Sequence, residues 1–385
     1  MPAIISGVQY SGIWSLAGQA NAKALGTWPS PPSPHLFSWG RNNTGQLGLG
    51  NTTYYSSPKQ VGTLNTWSKI SATTNKTSVI KTDGTLWTWG SGLYGRLGLG
   101  NTTYYSSPKQ VGALTIWAST SNGTDGWQLA VQTNGTLWSW GINDNGQLGL
   151  GNTTNYSSPK QIGALTSWLT ISAGYKYALA IKTDGSLWSW GSGSYGRLGL
   201  GDVLDRSSPT QVGALTNWLN VATGYANSLA IKTDGTLWVW GGGFSGGLGL
   251  GNTTNYSSPK QLGSLTTWSK LSGASYGGTA IKTDGTMWAW GNGGYGQLGD
   301  GSVVNKSSPI QVGALTTWLS VSAGYSNHKA AIKTDGTLWM WGRNNAGQLG
   351  DSTTVDQSSP IQIGALTSWS SASIGANSTV AIAST

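Results

Sequence analysis

The stretch LAIKTDGSLWSWG, residues 179–191, decides the fold. Two short β-prone runs flank Asp184-Gly185, a pair that favours the positive φ of a type I′ turn, so the stretch reads as a β-hairpin. Versions of its central part, beginning with KTDGTLWTWG at Lys81, return at Gln132, Lys182, Lys232, Lys282 and Lys333. Counted on the glycine of each Trp-Gly pair, from Gly40 through Gly90, Gly141, Gly191, Gly241 and Gly291 to Gly342, the steps are 50, 51, 50, 50, 50 and 51. A period near fifty residues means one supersecondary unit stacked on its neighbours, as in a solenoid or a propeller.

The rest of each unit supplies two more strands. After the Trp-Gly pair comes GSYGRLGLGD, too rich in glycine for a helix, and then SSPTQVG, whose proline suits the start of an outer edge strand. The LTNWLNVATG segment completes four strands per unit. Seven such units predict an all-β, seven-bladed β-propeller, which limits exposed edges by radial repetition. Residues 369–385 hold the first two strands of a unit and stop where KTDG should follow, while HLFSWG (35–40) and SSPKQVG (56–62) supply the missing half. One blade is therefore expected from both termini, with Val380–Ile382 antiparallel to Leu36–Trp39. The domains read as an arm (1–28), a proline-rich linker (29–35) and the propeller (36–385).

These residues carry a resemblance. LWSWGSGSYGRLGLGDVLDRSSPTQVGALTNWLNVATGYANSLAIKTDG (187–235) resembles the repeat of the regulator-of-chromosome-condensation family, with its Trp-Gly, its G-x-L-G-x-G turn and its A-x-G…L-A-I strand. The resemblance spans about residues 36–385 and implies a propeller. The family's frequent histidine is matched by His328, and Asn227 stands in that place in another unit. The family's eukaryotic namesake activates a small GTPase and binds nucleosomes through non-repetitive loops and tails. The sequence has no such insertions, so those activities are not implied.

Composition narrows the function. The 385 residues include 60 glycines, 23 tryptophans and no cysteine, which rules out disulfides and thiolate metal sites. There is no glutamate, and the two histidines are His35 and His328. The repeated Asp83, Asp184, Asp234, Asp284 and Asp335 are turn residues. Asp202 and Asp205 are weak evidence for a cation site. GSGLYG (90–95) fits a dinucleotide fingerprint only if a helix follows, and RLGLGN does not form one. No catalytic residue, cofactor or metal is expected, and the chain reads as a non-enzyme. The formal charge of +9 raises nucleic acid, but Lys81, Lys182, Lys232, Lys282 and Lys333 fall one per unit just before the turn, Lys59, Lys109, Lys160 and Lys260 follow the edge proline, and a lysine on an exposed strand also guards against edge-to-edge pairing. No signal peptide or membrane-spanning stretch is evident.

Twenty of the 23 tryptophans recur at three repeat positions and read as blade packing. Trp14, Trp28 and Trp127 break the pattern. Function should sit where the repeat varies. The loop after the SAG-type segment reads TTNKT, NGTDGWQ, GYKYA, GYANS, ASYGG, GYSNHK and GANS, which nominates Trp127, Tyr175, Lys176, Tyr225, Tyr276 and Tyr325 as partner-binding residues, beside Tyr177 and His328. Aromatic rings among small polar neighbours make a recognition surface of low entropic cost. A second variable set, NTTYYSSP and its relatives, offers Tyr54, Tyr55, Tyr104 and Tyr105.

Outside the propeller, SGIWSLAGQANAKALGTWP (11–29) has helical apolar spacing, with Ser11 able to cap it and Gly26 and Pro29 to stop it. Ile13, Trp14, Leu16, Leu25 and Trp28 would dock it, either on the propeller wall or on a larger assembly. The arm resembles N-terminal segments of phage virion and tail-associated proteins. The leading expectation is a virion structural or host-adhesion component that is extracellular or particle-bound, with other virion subunits, a protein or a surface glycan as partners. The alternative is a soluble regulator or inhibitor that caps a protein partner with one face.

Overall fold

The computed structural model of the protein describes residues 33–324 and 327–385. They form seven four-stranded antiparallel sheets. Blade two sets the pattern, with Trp67–Ala72 innermost, then Lys76–Lys81, Leu86–Gly90 and, outermost, Tyr105–Gln110. Blades three to seven repeat it over residues 117–161, 168–211, 218–261, 268–311 and 318–362. Blade one joins Trp369–Ile374 and Ser378–Ser384 to Pro34–Gly40 and Tyr55–Gln60. Leu36 lies opposite Ile382 and Ser38 opposite Val380, so the ring closes through the antiparallel strand pair the sequence predicts. The closing strand begins at Pro34, inside the segment read as linker. The helical arm and its docking residues fall outside the described residues.

Two local expectations change. The Asp-Gly hairpins are not type I′, because Gly84 has φ 77° while Asp83 stays at negative φ. Gly84 N donates to Lys81 O and Lys81 N to Thr85 O, both at 3.0 Å, giving a type I turn closed by a glycine bulge. Asp83 serves through its carboxylate, which accepts the Thr85 amide at 2.9 Å and hydroxyl at 2.6 Å, while that hydroxyl accepts the Trp87 indole N–H at 2.9 Å. The proline of SSP is also not the strand's first residue. Pro58 is the fourth, and it lies where the register jumps between Lys59 and Tyr55, a bulge on an edge strand that tolerates a missing donor.

The tryptophans join blade to blade. Trp67 packs edge-on against Trp87 and Trp89, with centroids 6.4 and 6.2 Å apart. The Trp89 indole donates to Gln46 O of the preceding blade at 3.0 Å. Trp39, Trp190, Trp240, Trp290 and Trp341 make the same bond to Gln348, Gln147, Arg197, Gly247 and Gln297. The glycine of each G-x-L-G turn makes room for this ring, since a Cβ on Gly48 would lie 2.6 Å from the Trp89 nitrogen. Nearer the axis, a serine of one blade accepts a backbone N–H of the next. Ser373 to Ala72, Ser71 to Asn122, Ser121 to Ala173, Ser172 to Thr223, Ser272 to Ala323 and Ser322 to Ile374 cover six junctions. Ala222 stands in the serine's place at the seventh.

Strand order separates the variable text from the constant text. The turn between first and second strands and the long loop between third and fourth strands both open on one end of the blade. The TDG turns and the GALT connections open on the other. The two variable segments therefore share one face.

Candidate functional site

On the variable face, blades four to six bring their first turns together. Tyr175 stacks on Tyr225 with centroids 4.5 Å apart and planes 20° from parallel, and Tyr225 meets Tyr276 at 5.4 Å. The array continues into the long loops, where Phe244 stands edge-on to Tyr276 at 6.1 Å and Tyr195 edge-on to Phe244 at 4.8 Å. Tyr195, Phe244 and Tyr276 are exposed, while Tyr175 and Tyr225 are half-buried.

The backbone beneath is fixed. Arg197 is buried, and one of its terminal nitrogens donates to Tyr175 O at 3.1 Å and to Tyr225 O at 3.0 Å, tying two turns from different blades. Tyr195 sits at φ 64° and Lys176 at φ 65°, left-handed conformations that non-glycine residues adopt only when their surroundings hold them. Lys176 is held by charge, with its Nζ 2.9 Å from Asp144 and 3.4 Å from Asp125 of blade three. Burial, opposed by Lys176, raises the Asp125 carboxyl above its ordinary value. Burial, then the Asp125 carboxylate and the Tyr225 ring, raises the Tyr175 hydroxyl. The result is a strip of five rings with an ionic end, running over blades three to six. Both carboxylates are committed to Lys176.

Of the residues expected here, Tyr175, Lys176, Tyr225 and Tyr276 come together, and Tyr325 lies outside the described residues. Trp127 does not join them. It is fully buried as the first residue of a second strand, and its indole donates to Gly174 O at 3.2 Å. Trp127 holds the position that Tyr177 and Asn227 hold in their blades, the buried first residue of the second strand. Tyr177 and His328 occupy the same buried register position. Tyr177 donates to Asn227 O at 2.6 Å, and burial pushes its hydroxyl up to about 12. His328 faces the Thr379 hydroxyl at 3.2 Å, and burial pushes its imidazole down to about 3. Phe244, Tyr195, Asp125, Asp144 and Arg197 were not expected. Phe244 and Tyr195 sit in a glycine-rich turn read as scaffold, although its non-glycine positions vary between blades.

Other candidates are accounted for by the fold. GSGLYG ends in a three-residue 3₁₀ turn, and a Cβ on Gly95 would lie 2.4 Å from Ser157 of the next blade. Asp202 pairs with Arg206, and Asp205 accepts from Gly193 N at 2.8 Å and Asn145 at 3.0 Å. No cluster of three metal-ligating side chains occurs among the described residues. The lysines before the TDG turns do not guard an edge. They lie on second strands, with Lys182 Nζ 3.5 Å and Lys232 Nζ 3.8 Å from the ring centres of Trp188 and Trp238. Lys59, Lys109, Lys160 and Lys260 stand over Tyr55, Tyr105, Tyr156 and Tyr256 on the outermost strands. Nine lysines thus have aromatic partners spaced by the fold rather than by a phosphate backbone. Rim grooves of 360–400 Å³, lined in blade three by Leu114, Trp117, Trp138 and Pro159, recur with the same lining at neighbouring blades and distinguish none of them. No helix among the described residues is long and apolar enough to cross a membrane.

Comparison with known proteins agrees with this architecture. The family model described as an RCC1-like domain matches residues 35–281, and the regulator of chromosome condensation (RCC1) repeat matches residues 284–331 and 335–382. No curated protein matches the chain by sequence. Human WBSCR16 superposes with a TM-score of 0.81 at 22% identity, over 92% of this chain and 99% of that one. Prp20p of Saccharomyces cerevisiae, described with its binding to Gsp1p and histones, gives 0.80 at 18% identity, over 92% of each chain. Yeast RCC1 (Prp20) bound by Kap60 gives 0.79 at 18% identity, over 100% of this chain and 96% of that one. The chain belongs to the regulator of chromosome condensation (RCC1) repeat family.

Proposed function

We propose that this chain is a non-enzymatic, protein-binding propeller that caps a partner with its variable face. The observation that carries the reading is the continuous strip of Tyr175, Tyr225, Tyr276, Phe244 and Tyr195, drawn from three blades on the face where the repeat departs from itself. Aromatic anchors dominate the energetics of protein interfaces, and rings held on rigid turns lose little freedom on binding. Lys176, between two carboxylates, gives one end of the strip a polar rim. Solved relatives of the same fold carry names of protein partners, Gsp1p, histones and Kap60, which supports a protein as the ligand class over a glycan. The capping role needs only the propeller face, whereas a place in a virion depends on the arm.

The reading is tested by quantitative affinity capture from the source cells. Wild type is compared with the pair Tyr225→Ala/Tyr276→Ala and with Leu165→Ala/Leu215→Ala, a control on the opposite face. A partner whose recovery drops tenfold or more with the tyrosine pair alone supports capping. Recovery unchanged by the tyrosine pair, or lost equally with both pairs, contradicts it.

A further inference from the structure

The first position of each second strand carries a buried side chain in every blade but one. It is Lys76, Trp127, Tyr177, Asn227, His328 or Ser378, and in blade six it is Gly277, followed by Gly278. In blades two to five and in blade seven this side chain bridges to the next blade. Lys76 Nζ reaches Trp127 O at 3.2 Å, Tyr177 reaches Asn227 O, and Asn227 reaches Gly277 O at 2.9 Å. At the junction of blades six and seven the glycine provides no such group, and a small cavity of about 10 Å³ lies there. Lys329 of blade seven lines it.

Lys329 is 1% exposed, and its ammonium has no hydrogen-bond or ion-pair partner among the described residues. Lys76 provides the contrast. It is equally buried, but three oxygens surround its Nζ, Arg96 O at 2.9 Å, Trp127 O at 3.2 Å and Gln128 Oε1 at 2.9 Å. A buried ammonium without such a shell is strongly disfavoured unless a counter-charge accompanies it. The lining's serine and amide side chains are Ser275, Asn292, Gln297 and Asn327, and two of them have their oxygens occupied. Asn292 Oδ1 accepts from Gly294 N at 3.1 Å and Gln297 Nε2 at 2.6 Å, and Gln297 Oε1 accepts from Tyr295 N at 2.8 Å. The Asn292 and Gln297 amide oxygens are thus taken by the protein's own N–H groups, leaving the Asn292 NH₂ as a donor in the lining it shares with Lys329.

We propose that this cavity is a binding site for a single monatomic anion of chloride size, held by the Lys329 ammonium and the Asn292 amide, which pins blade six to blade seven beneath Tyr276. A space of roughly 10–15 Å³ on this measure is what one water-sized particle needs, so the cavity has room for a single small ligand and none for a polyatomic oxyanion. Burial pushes the Lys329 amine down to about 7, so the anion and the proton bind together.

The site is tested on the whole chain in two ways. Wild type and Lys329→Met are melted in sodium chloride, sodium bromide and sodium gluconate at equal ionic strength and pH 6. Wild type should melt about 2 °C or more higher in either halide than in gluconate, and Lys329→Met should melt alike in all three. Crystals of wild type grown in bromide should show an anomalous peak in contact with Lys329 Nζ, which settles the matter even if the variant fails to fold. A bromide map without that peak, or a halide effect that persists in Lys329→Met, overturns the proposal. A wild-type melting temperature indifferent to the anion also overturns it, and leaves a water beside a neutral amine.

Discussion

The same seven blades build two unlike faces. On the constant face blades two to seven repeat the Asp–Thr–Trp relay of Asp83, Thr85 and Trp87, or its Asn134–Thr136–Trp138 and Asp184–Ser186–Trp188 equivalents, with a second-strand lysine over the indole in each of them except blade three, where Gln132 stands. On the variable face, neighbouring blades differ by whole side chains. Blade three offers Asp125, blade four Tyr175 and Lys176, blade five Tyr225 and blade six Tyr276. Repetition marks where the chain must hold itself together, and departure from it marks where the surface is free to recognise something else. Substitutions that strike one face or the other break or sharpen that contrast.

The largest loss of stability belongs to the scaffold. Trp190→Ala or Trp240→Ala removes a buried ring and a donor to the preceding blade, and should cost about 3–5 kcal/mol in denaturant unfolding. Gly185→Ala on the constant face comes next. Its φ is 77°, and a Cβ would lie 2.1 Å from Thr216 O, so a loss of about 1–3 kcal/mol is expected by the same measurement. Ser322→Ala leaves the Ile374 amide without its hydroxyl and should cost about 1–2 kcal/mol. The reverse change, Ala222→Ser, restores the missing serine and should raise the melting temperature slightly.

Titration sharpens the comparison within the core. In chloride-free buffer the native chain loses the Lys329 proton near pH 7, while the unfolded chain keeps it to about 10.5. The unfolded state therefore binds more protons between those values, and stability should rise with pH across that window. His328, on the same strand, is already neutral there. Lys329→Met should flatten the rise, as followed by melting temperature from pH 6.5 to 10. The smallest effect on stability belongs to the strip, where Tyr225→Ala should cost less than about 1 kcal/mol while weakening partner capture.

Much of this fold is legible in the sequence because its signals are local and repeated. The period set the blade count, and the two incomplete termini named the strands that close the ring, around Leu36 and Ile382. The tryptophan positions likewise resolved into core. What escaped depended on where each turn ends and its strand begins, and on contacts across blades. Trp127, read as a loop residue, is the first residue of a second strand, where the side chain turns inward as Tyr177 and Asn227 do in their blades. Phe244 and Tyr195 could not be joined to Tyr276 by reading along the chain, because they meet only after blades four to six stand side by side. The Gly277-Gly278 pair was visible as letters, but its meaning depends on Lys329, fifty residues on and in the next blade.

The central claim is that the variable face is where a partner sits, and site-specific photo-crosslinking tests it most directly. A benzophenone side chain placed at position 276, and separately at position 165 on the opposite face, is irradiated in the source cells. The account predicts one discrete crosslinked protein from position 276 and none from position 165. A discrete product from position 165 with none from 276 would contradict it.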